Sequence, residues 1–228
     1  MSTILFVVTG ARHWTLNDGT QHPTGYWAEE LLAPYEAFTR AGHTVVFASP
    51  GGVTPVPDRG SLAPDANDGR TDVEERLNAI SELAAPLDLA KVDVADYAAV
   101  FYPGGHGPME DLAVDADSGR LLTTTLDSGK PLAIVCHGPA ALLAAHRPDG
   151  TSPFAGYRLT GFTNAEETQA GLAEKAPWLL QDRLTALGAT FDEGPAWQPH
   201  VVADRNLYTG QNPASSAPLA AEVLTRLS

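Results

Sequence analysis

Ile4-Leu-Phe-Val-Val8, a short apolar run that stops at Thr9-Gly10, is typical of a strand buried on both faces of a parallel sheet. Apolar residues then recur at helical spacing over residues 26–40, and Gly42 follows as a C-terminal cap. A second strand, Thr44-Val-Val-Phe-Ala-Ser49, comes next. Because two parallel strands joined by a helix need a right-handed crossover, this stretch predicts an α/β fold built on a parallel sheet.

The same alternation continues to the end of the chain. Further strands are predicted over residues 98–102, 131–135, 157–162 and 201–208, the last around a turn at 204–206. Further helices are predicted over residues 73–83, 112–126, 140–145, 178–187 and 213–227. Residues 53–70 are rich in Pro, Asp and Gly and indicate an ordered surface excursion. We therefore predict a single domain over residues 1–228, a doubly wound, mostly parallel sheet flanked by helices.

Composition narrows the classes of function. The chain has 14 basic and 28 acidic residues, a formal charge of −14, which disfavours nucleic acid and anionic membranes as partners. The first residues contain neither a basic region nor a long apolar stretch, and no window approaches the length of a membrane span. A single cysteine cannot form an internal disulfide and fits a reducing compartment. We expect a cytoplasmic protein.

The cysteine lies at the most informative turn of the chain. The apolar run Leu132-Ala-Ile-Val135 leads directly into Cys136-His137-Gly138-Pro139. A nucleophile held between a strand and a helix sits at the carboxyl end of the sheet, where the helix N-terminus favours a thiolate. A lone cysteine can also be a small core residue, but this position beside His137 favours a catalytic one.

A glycine-rich loop, Pro103-Gly-Gly-His-Gly107, follows another predicted strand. Its glycines can bring backbone N–H groups close to a developing oxyanion, although a tight strand-to-helix turn would use the same residues. The loop lacks the lysine and the spacing of the common phosphate-binding loops.

Five motifs spread along the chain carry a family resemblance. They are Thr24-Gly25 with Glu30 and Pro34, Tyr102-Pro-Gly-Gly-His-Gly107, Ala133-Ile-Val-Cys-His-Gly-Pro139, Thr160-Gly-Phe-Thr163 with Glu167, and Thr209-Gly-Gln-Asn-Pro-Ala-Ser215. With them the chain resembles the ThiJ/PfpI superfamily, related to class I glutamine amidotransferases, and within it the heat-shock chaperone and glyoxalase III branch. The resemblance implies a flavodoxin-like, class I glutamine amidotransferase-like sheet and a homodimer. It also suggests that residues 53–70 are a reduced cap loop.

The resemblance implies a Cys–His–acid triad. Cys136 would be the nucleophile, His137 its partner, and Glu167 the acid, with the adjacent Glu166 as the alternative. A further carboxylate at Glu30 would lie against the thiol and shuttle protons, with Glu29 as the alternative. Glu29 and Glu30 differ by about 100° around a helix, so only one of them should face the sheet.

The branch also implies a reaction, the glutathione-independent conversion of methylglyoxal or glyoxal to a 2-hydroxy acid. Cys136 would form a hemithioacetal, the N–H groups of Gly105 and His137 would hold the oxyanion, and Glu30 would move a proton between the substrate carbons. Gly104, His106 and Trp197 complete the predicted substrate-binding set. Such chemistry needs no cofactor, and the histidines show no metal-ligand spacing, so no metal is predicted.

Other aromatic residues receive weaker predictions. His13, His22, His43 and His146 are expected on the surface or in loops, whereas His106 and Trp197 suit either the pocket mouth or local packing. Trp14 and Trp27 are interpreted chiefly as lid or core contacts.

Three other functions stay open. The triad suits an amidase or peptidase as well as an aldehyde enzyme, and an isonitrile hydratase of the same superfamily would also place a carboxylate by the cysteine. A holdase chaperone or oxidation sensor would need an exposed apolar patch or a low-pKa, exposed thiol. Deglycation of protein adducts is a further activity of such proteins that is hard to separate from consumption of free glyoxals. The expected partner is a small aldehyde or another small molecule.

Overall fold

The computed structural model of the protein describes residues 1–227, and the chain forms eleven strands within them. These are β1 (Thr3–Val7), β2 (His13–Thr15), β3 (Gln21–Pro23), β4 (Thr44–Ser49), β5 (Leu87–Asp88), β6 (Ala99–Tyr102), β7 (Leu132–Val135), β8 (Arg158–Leu159), β9 (Thr190–Phe191), β10 (Val201–Asp204) and β11 (Leu207–Gly210). Seven of them form the central sheet in the order β10-β11-β7-β6-β1-β4-β5. Only the pairing of β10 with β11 is antiparallel in this sheet. The predicted mostly parallel α/β fold is confirmed.

Helices cover both faces of this sheet. They are α1 (Ala28–Arg40), α2 (Val73–Asn78), α3 (Gly107–Glu110), α4 (Ala116–Ser128), α5 (Asn164–Gln169), α6 (Leu180–Ala186) and α7 (Ser216–Leu227). The β1–α1–β4 unit advances toward one edge of the sheet and the β6–α4–β7 unit toward the other. Right-handed crossovers therefore place α1 and α4 on opposite faces. None of the helices described in residues 1–227 is both long enough and apolar enough to cross a bilayer.

The middle of the sheet is a dry core and positions the loops that follow it. All four residues of β6 and of β7 are buried, and Phe6 of β1 stacks on Phe101 of β6 with ring centroids 4.8 Å apart. Each such ring contributes roughly 1.5–3 kcal/mol through burial. Because β1 and β6 are neighbours whose connections leave in opposite directions, a crevice opens at their carboxyl ends. The turn that carries Cys136 follows β7, the next strand along.

The segment 53–70 lies along the chain that leads into α1. The Tyr26 N–H donates to the Val56 carbonyl at 3.0 Å, and the Ala28 N–H donates to Ser61 Oγ at 3.0 Å. A side chain at Gly25 would collide with the Val56 carbonyl, which explains the glycine there. The segment therefore fixes the first turn of α1, which bears Glu30.

Two predicted elements after Cys136 are wrong. The predicted helix at 140–145 is a 3₁₀ helix over Gly138–Ala144. The predicted strand at 157–162 is reduced to β8, which pairs with β9 outside the central sheet. Beyond Leu159 the backbone does not continue as a strand and hydrogen-bonds to other segments. The Thr160 N–H donates to Thr209 Oγ1 at 2.8 Å, and the Phe162 N–H donates to the Cys136 carbonyl at 2.8 Å.

Other element boundaries also differ. The helix predicted at 112–126 is α4, which begins at Ala116 because the Asp115 side chain caps it by accepting the Ser118 N–H at 2.7 Å. The helix predicted at 73–83 ends at Asn78 and is followed by a 3₁₀ turn. The strand predicted at 201–208 is the β10–β11 hairpin. Helices α3 and α5 and the β2–β3 hairpin were not predicted.

Candidate active site

Cys136 occupies a strained turn directly after β7. Its backbone has φ +60°, which is unfavourable for a residue with a side chain. The turn is held from both sides, because the Cys136 N–H donates to the Gly210 carbonyl at 2.9 Å and its carbonyl accepts from the Phe162 N–H at 2.8 Å. The side chain is 3% exposed, and its Sγ lies 3.4 Å from His137 Nδ1. Strain held in this way at a cysteine is typical of a functional site.

A buried carboxylate completes a triad with these two residues. His137 Nε2 lies 2.7 Å from Glu167 Oε2 on α5. Burial opposes the ionisation of Glu167, but the charge of His137 and hydrogen bonds from His106 and His137 outweigh it and lower the pKa of Glu167. An ionised Glu167 accepts a hydrogen bond from the Nε2–H group of His137. The other ring nitrogen, Nδ1, then carries no hydrogen and presents its lone pair to the thiol. Burial, followed by the charge of His106, lowers the pKa of His137 to about 4.

Glu166, the alternative acid, faces away from His137. Its Oε2 accepts from the backbone N–H of Thr163, and Thr163 Oγ1 accepts from the Glu166 N–H, which makes a capping box. The pattern Thr163-Asn-Ala-Glu166 is the sequence signal that would have revealed α5. Only Glu167 touches the predicted catalytic histidine.

A second carboxylate, Glu30, lies beside the thiol. Its side chain is fully buried, and Oε2 accepts the Gly104 N–H at 2.7 Å. Oε1 is buried without a hydrogen-bond partner of normal geometry among the described residues. Burial raises the pKa of Glu30 to about 8, against the opposing effect of hydrogen bonds with Cys136 and Gly104. Glu29 is only half-buried, so α1 turns Glu30 toward the sheet.

The surroundings of the Cys136 thiol oppose its ionisation. Burial, and then the neighbouring Glu30, raise the pKa of Cys136, while the Gly105 N–H lowers it to a smaller extent. Desolvation and the neighbouring Glu30 carboxyl thus oppose the thiolate that the helix N-terminus was predicted to favour. The expected exposed, low-pKa thiol of an oxidation sensor is also absent from the described residues.

The backbone of the glycine-rich loop lies so close to its neighbours around Cys136 that a side chain would not fit at Gly104 or Gly105. A Cβ at Gly104 would lie 2.6 Å from the Val135 carbonyl oxygen and 2.8 Å from the His137 nitrogen. Gly105 has φ +82°, and a Cβ there would lie 2.5 Å from the Gly25 carbonyl oxygen. Within residues 1–227, the N–H groups of Gly105 and His137 donate to no backbone carbonyl. Neither N–H is thus taken up by a backbone carbonyl, and that of Gly105 hydrogen-bonds the Cys136 side chain, where an oxyanion would form.

His106 is bound to the triad carboxylate. Its Nε2 lies 2.9 Å from Glu167 Oε1, and its ring stacks on Trp14 with centroids 5.0 Å apart. Sequence reasoning left His106 between the pocket mouth and local packing. It expected His22 on the surface or in a loop, whereas His22 is half-buried on β3, with its ring centroid 6.3 Å from that of His106. Both Trp14 and His22 belong to the β2–β3 hairpin, which the turn-forming Asp18-Gly19 pair could have indicated.

Trp197 borders the site from the surface. It is 43% exposed, and its ring packs edge-on against Phe162, whose own centroid lies 4.3 Å from that of His137. A cavity of about 560 Å³ is lined by Trp27, Glu29 and Trp197, among others, but not by Cys136. Trp197 therefore connects this cavity to the triad through Phe162.

Comparison with known proteins identifies the arrangement. Residues 24–226 match the DJ-1/PfpI family. The chain belongs to the DJ-1/PfpI family. It is 32% identical over 226 residues to the protein/nucleic acid deglycase HchA of Pseudomonas aeruginosa, covering 93% of this chain and 76% of that protein. It is also 32% identical over 235 residues to Glyoxalase 3 of Candida albicans, covering 98% of each.

Solved structures agree with this assignment. The crystal structure of glyoxalase III from Candida albicans matches with a TM-score of 0.83 at 27% identity, covering 98% of this chain and 96% of that one. The X-ray structure of the Rapid Encystment Protein of Francisella tularensis matches over the whole of both chains, with a TM-score of 0.86 at 27% identity. The resemblance to the ThiJ/PfpI superfamily seen in the sequence is confirmed.

Within residues 1–227 of this DJ-1/PfpI chain, one group of residues could offer ligands to a metal. His106, His137 and Glu167 bring ligand atoms within 4.8 Å of one another. Both histidine Nε2 atoms are instead hydrogen-bonded to Glu167, so an ion would have to displace these bonds. The absence of a metal stays a prediction.

Proposed function

We propose that this DJ-1/PfpI protein is a glutathione-independent glyoxalase that converts methylglyoxal, or a similarly small 2-oxoaldehyde, to a 2-hydroxy acid. One observation carries the proposal. Glu30 is fully buried, with Oε2 fixed by the Gly104 N–H and with Cys136 as its second hydrogen-bonding neighbour. Two relatives, named as a deglycase and a glyoxalase, support aldehyde-derived substrates.

The first step is addition of Cys136 to the aldehyde. As sulfur bonds to the aldehyde carbon, its proton passes to His137 Nδ1, which lies 3.4 Å away, and then to the carbonyl oxygen. No standing thiolate is needed, which agrees with the raised pKa of the thiol. The N–H groups of Gly105 and His137 stabilise the oxyanion before it is protonated. The product is a hemithioacetal.

The second step is proton transfer between the two substrate carbons. Ionised Glu30 removes the hydrogen of the former aldehyde carbon as a proton through Oε1, and the electron pair forms an enediolate with its negative charge on the neighbouring carbonyl oxygen. The proton of the hemithioacetal hydroxyl then passes to that oxygen while Glu30 returns its proton to the second carbon, which leaves a thioester of the 2-hydroxy acid. A carboxyl whose pKa is about 8 can both accept and return a proton near neutrality.

The last step is hydrolysis of the thioester. A solvent water attacks the thioester carbonyl while His137 takes its proton, and the acid leaves as Cys136 regains its hydrogen. Glu167 stabilises the transient imidazolium through its 2.7 Å hydrogen bond to Nε2. The net reaction adds one water to the oxoaldehyde, so atoms and electrons balance without a redox partner.

The triad geometry also favours a hydrolytic second candidate. A Cys–His–Glu set suits amide hydrolysis, in which Glu30 would have no role as a proton carrier. The buried Glu30 carboxyl beside Cys136, which amide hydrolysis would leave unused, weighs against this candidate. The chaperone alternative has less support, because the exposed large apolar side chains are few. Among the described residues they are Met1, Val53, Leu87, Val114 and Trp197.

The test compares turnover of methylglyoxal, without glutathione, by wild type, Cys136→Ala, Glu30→Gln and Glu29→Gln. Substrate loss and chirally resolved lactate are both followed. We expect catalytic formation of one lactate enantiomer by wild type and Glu29→Gln only. Wild-type turnover retained in Glu30→Gln would overturn the proton shuttle, and lactate formation independent of Cys136 would overturn the proposed function. Amide hydrolysis that persists in Glu30→Gln would favour the second candidate.

A further inference from the structure

Glu167 is shared by two histidines. His137 Nε2 lies 2.7 Å from Oε2, and His106 Nε2 lies 2.9 Å from Oε1. His106 makes no hydrogen bond to Cys136 in the part of the chain that the structure describes, so any effect on the thiol passes through another group. We propose that His106 is a positioning residue that fixes the tautomer and the basicity of His137 through the carboxylate that both histidines share.

The ring of His106 is held in place from two sides. Trp14 stacks on it at an interplanar angle of 19°, and His137 packs against it with centroids 4.0 Å apart. The hairpin that carries Trp14 is itself tied to α3, because the Thr15 N–H donates to Glu110 Oε2 at 2.8 Å. His106 is only 9% exposed. A buried ring packed in this way keeps its donor directed at Glu167 without a further loss of entropy.

Sharing the carboxylate changes what it does to His137. A carboxylate with one imidazole partner stabilises the imidazolium strongly and raises its pKa. A second donor takes up part of the negative charge of Glu167 and weakens that effect. The charged or titratable groups that act on His137 are Glu166 and Glu167 from α5, His106 from the glycine-rich loop, and Cys136 beside it. Both glutamates raise the pKa of His137, whereas burial and His106 lower it.

The catalytic meaning of this arrangement rests on the proposed function, in which neutral His137 accepts the thiol proton. With Glu167 accepting at both oxygens, each Nε2 carries its hydrogen and His137 Nδ1 keeps its lone pair toward Sγ. His106 would thus hold His137 as a neutral base in mildly acidic solution. It does so without touching the reacting atoms.

The experiment measures the protonation of His137 directly and requires no turnover. Histidine ring nitrogens of the full-length protein are labelled with ¹⁵N and titrated by NMR in the presence of EDTA, with His137 assigned from a His137→Asn spectrum. Wild type is compared with His106→Phe, which keeps a ring between Trp14 and His137, and with His106→Gln, which keeps an N–H donor. Near-ultraviolet circular dichroism checks that each variant is folded.

We expect wild-type His137 to be the Nε2–H tautomer near neutral pH. In His106→Phe its pKa should rise by about one pH unit, and His106→Gln should restore most of the wild-type value. An unchanged pKa in folded His106→Phe, or an equal rise in both variants, would overturn the proposal. So would an Nδ1–H tautomer in wild type, which tests the proposal even where a variant does not fold. If His137 titrates as expected but the protein makes no lactate, the proposed glyoxalase function is refuted and the proposed role of His106 is not.

Discussion

Glu166 and Glu167 are adjacent in α5 and both buried, yet their carboxylates have entirely different partners. Glu167 accepts from the imidazoles of the site. Glu166 Oε1 accepts from the Trp197 N–H at 2.8 Å, from Gln211 at 3.1 Å and from Asn212 at 2.8 Å. Glu167 therefore contacts the residues of the proposed mechanism, whereas Glu166 binds the backbone and amide groups that surround the site.

Glu166→Gln is expected to weaken the fold. An amide has a single acceptor oxygen, so at least one of the buried donors around Glu166 loses its partner. We expect the free energy of unfolding in urea to fall by about 1–3 kcal/mol. An unchanged value would mean that water can satisfy these donors.

Glu167→Gln is expected to act on turnover. The amide nearly preserves the shape of the carboxylate but cannot carry the negative charge that stabilises the His137 imidazolium. We expect kcat/KM for the proposed reaction to fall at least about 100-fold. The assay is lactate formation at saturating and limiting methylglyoxal, with circular dichroism as the control for folding. A variant as active as Glu29→Gln would remove Glu167 from the mechanism.

Glu30 should make stability depend on pH. Burial raises its pKa to about 8 in the folded protein, from the ordinary value of 4.5. Between these values the unfolded chain ionises while the native protein keeps the proton, so stability is lost as pH rises through this window. Glu30→Gln should therefore be more stable than wild type near pH 8, by roughly 2–5 kcal/mol, and closer to it below pH 4.5. Urea unfolding at both pH values measures the difference, and a pH-independent difference would contradict the raised pKa.

The thiol should react slowly with an alkylating reagent at neutral pH. Burial and Glu30 raise the pKa of Cys136, so little thiolate is present. We expect iodoacetamide near pH 7 to alkylate the native protein at least about tenfold more slowly than the urea-unfolded chain. Glu30→Gln should react faster than wild type, and Glu29→Gln should not. Rapid alkylation of native wild type would restore the thiolate interpretation.

Gly104→Ala should damage the site. A Cβ there would lie 2.7 Å from Glu30 Oε2, besides its contacts with Val135 and His137. The loop or the carboxylate must shift, so we expect loss of turnover and a lower melting temperature. Gly60→Ala is the matched control, because its nearest neighbour is the movable Asp58 carboxylate at 3.2 Å. Normal activity in Gly104→Ala would show that the loop is more adaptable than its contacts indicate.

Much of the fold follows from local sequence. Strands β1, β4, β6 and β7 are continuous apolar runs, and the turn at Cys136 follows such a run directly. Periodicity and turn chemistry are properties of neighbouring residues, so they can be read without coordinates. Likewise the five motifs placed the chain in its family, which the comparisons confirm.

What only the tertiary structure decided depends on residues far apart in the chain. Sequence left open whether Glu29 or Glu30, and Glu166 or Glu167, faces the site, because one residue of rotation reverses the answer. It also predicted a thiolate at Cys136, because the backbone dipoles that favour one are local features. Burial and the Glu30 carboxyl oppose this ionisation. Glu30 lies on α1, more than a hundred residues away in the chain. The pairing of His106 with Glu167 likewise exists only after the sheet brings two loops together. Burial and long-range charge are consequences of packing, and no short stretch of sequence encodes them.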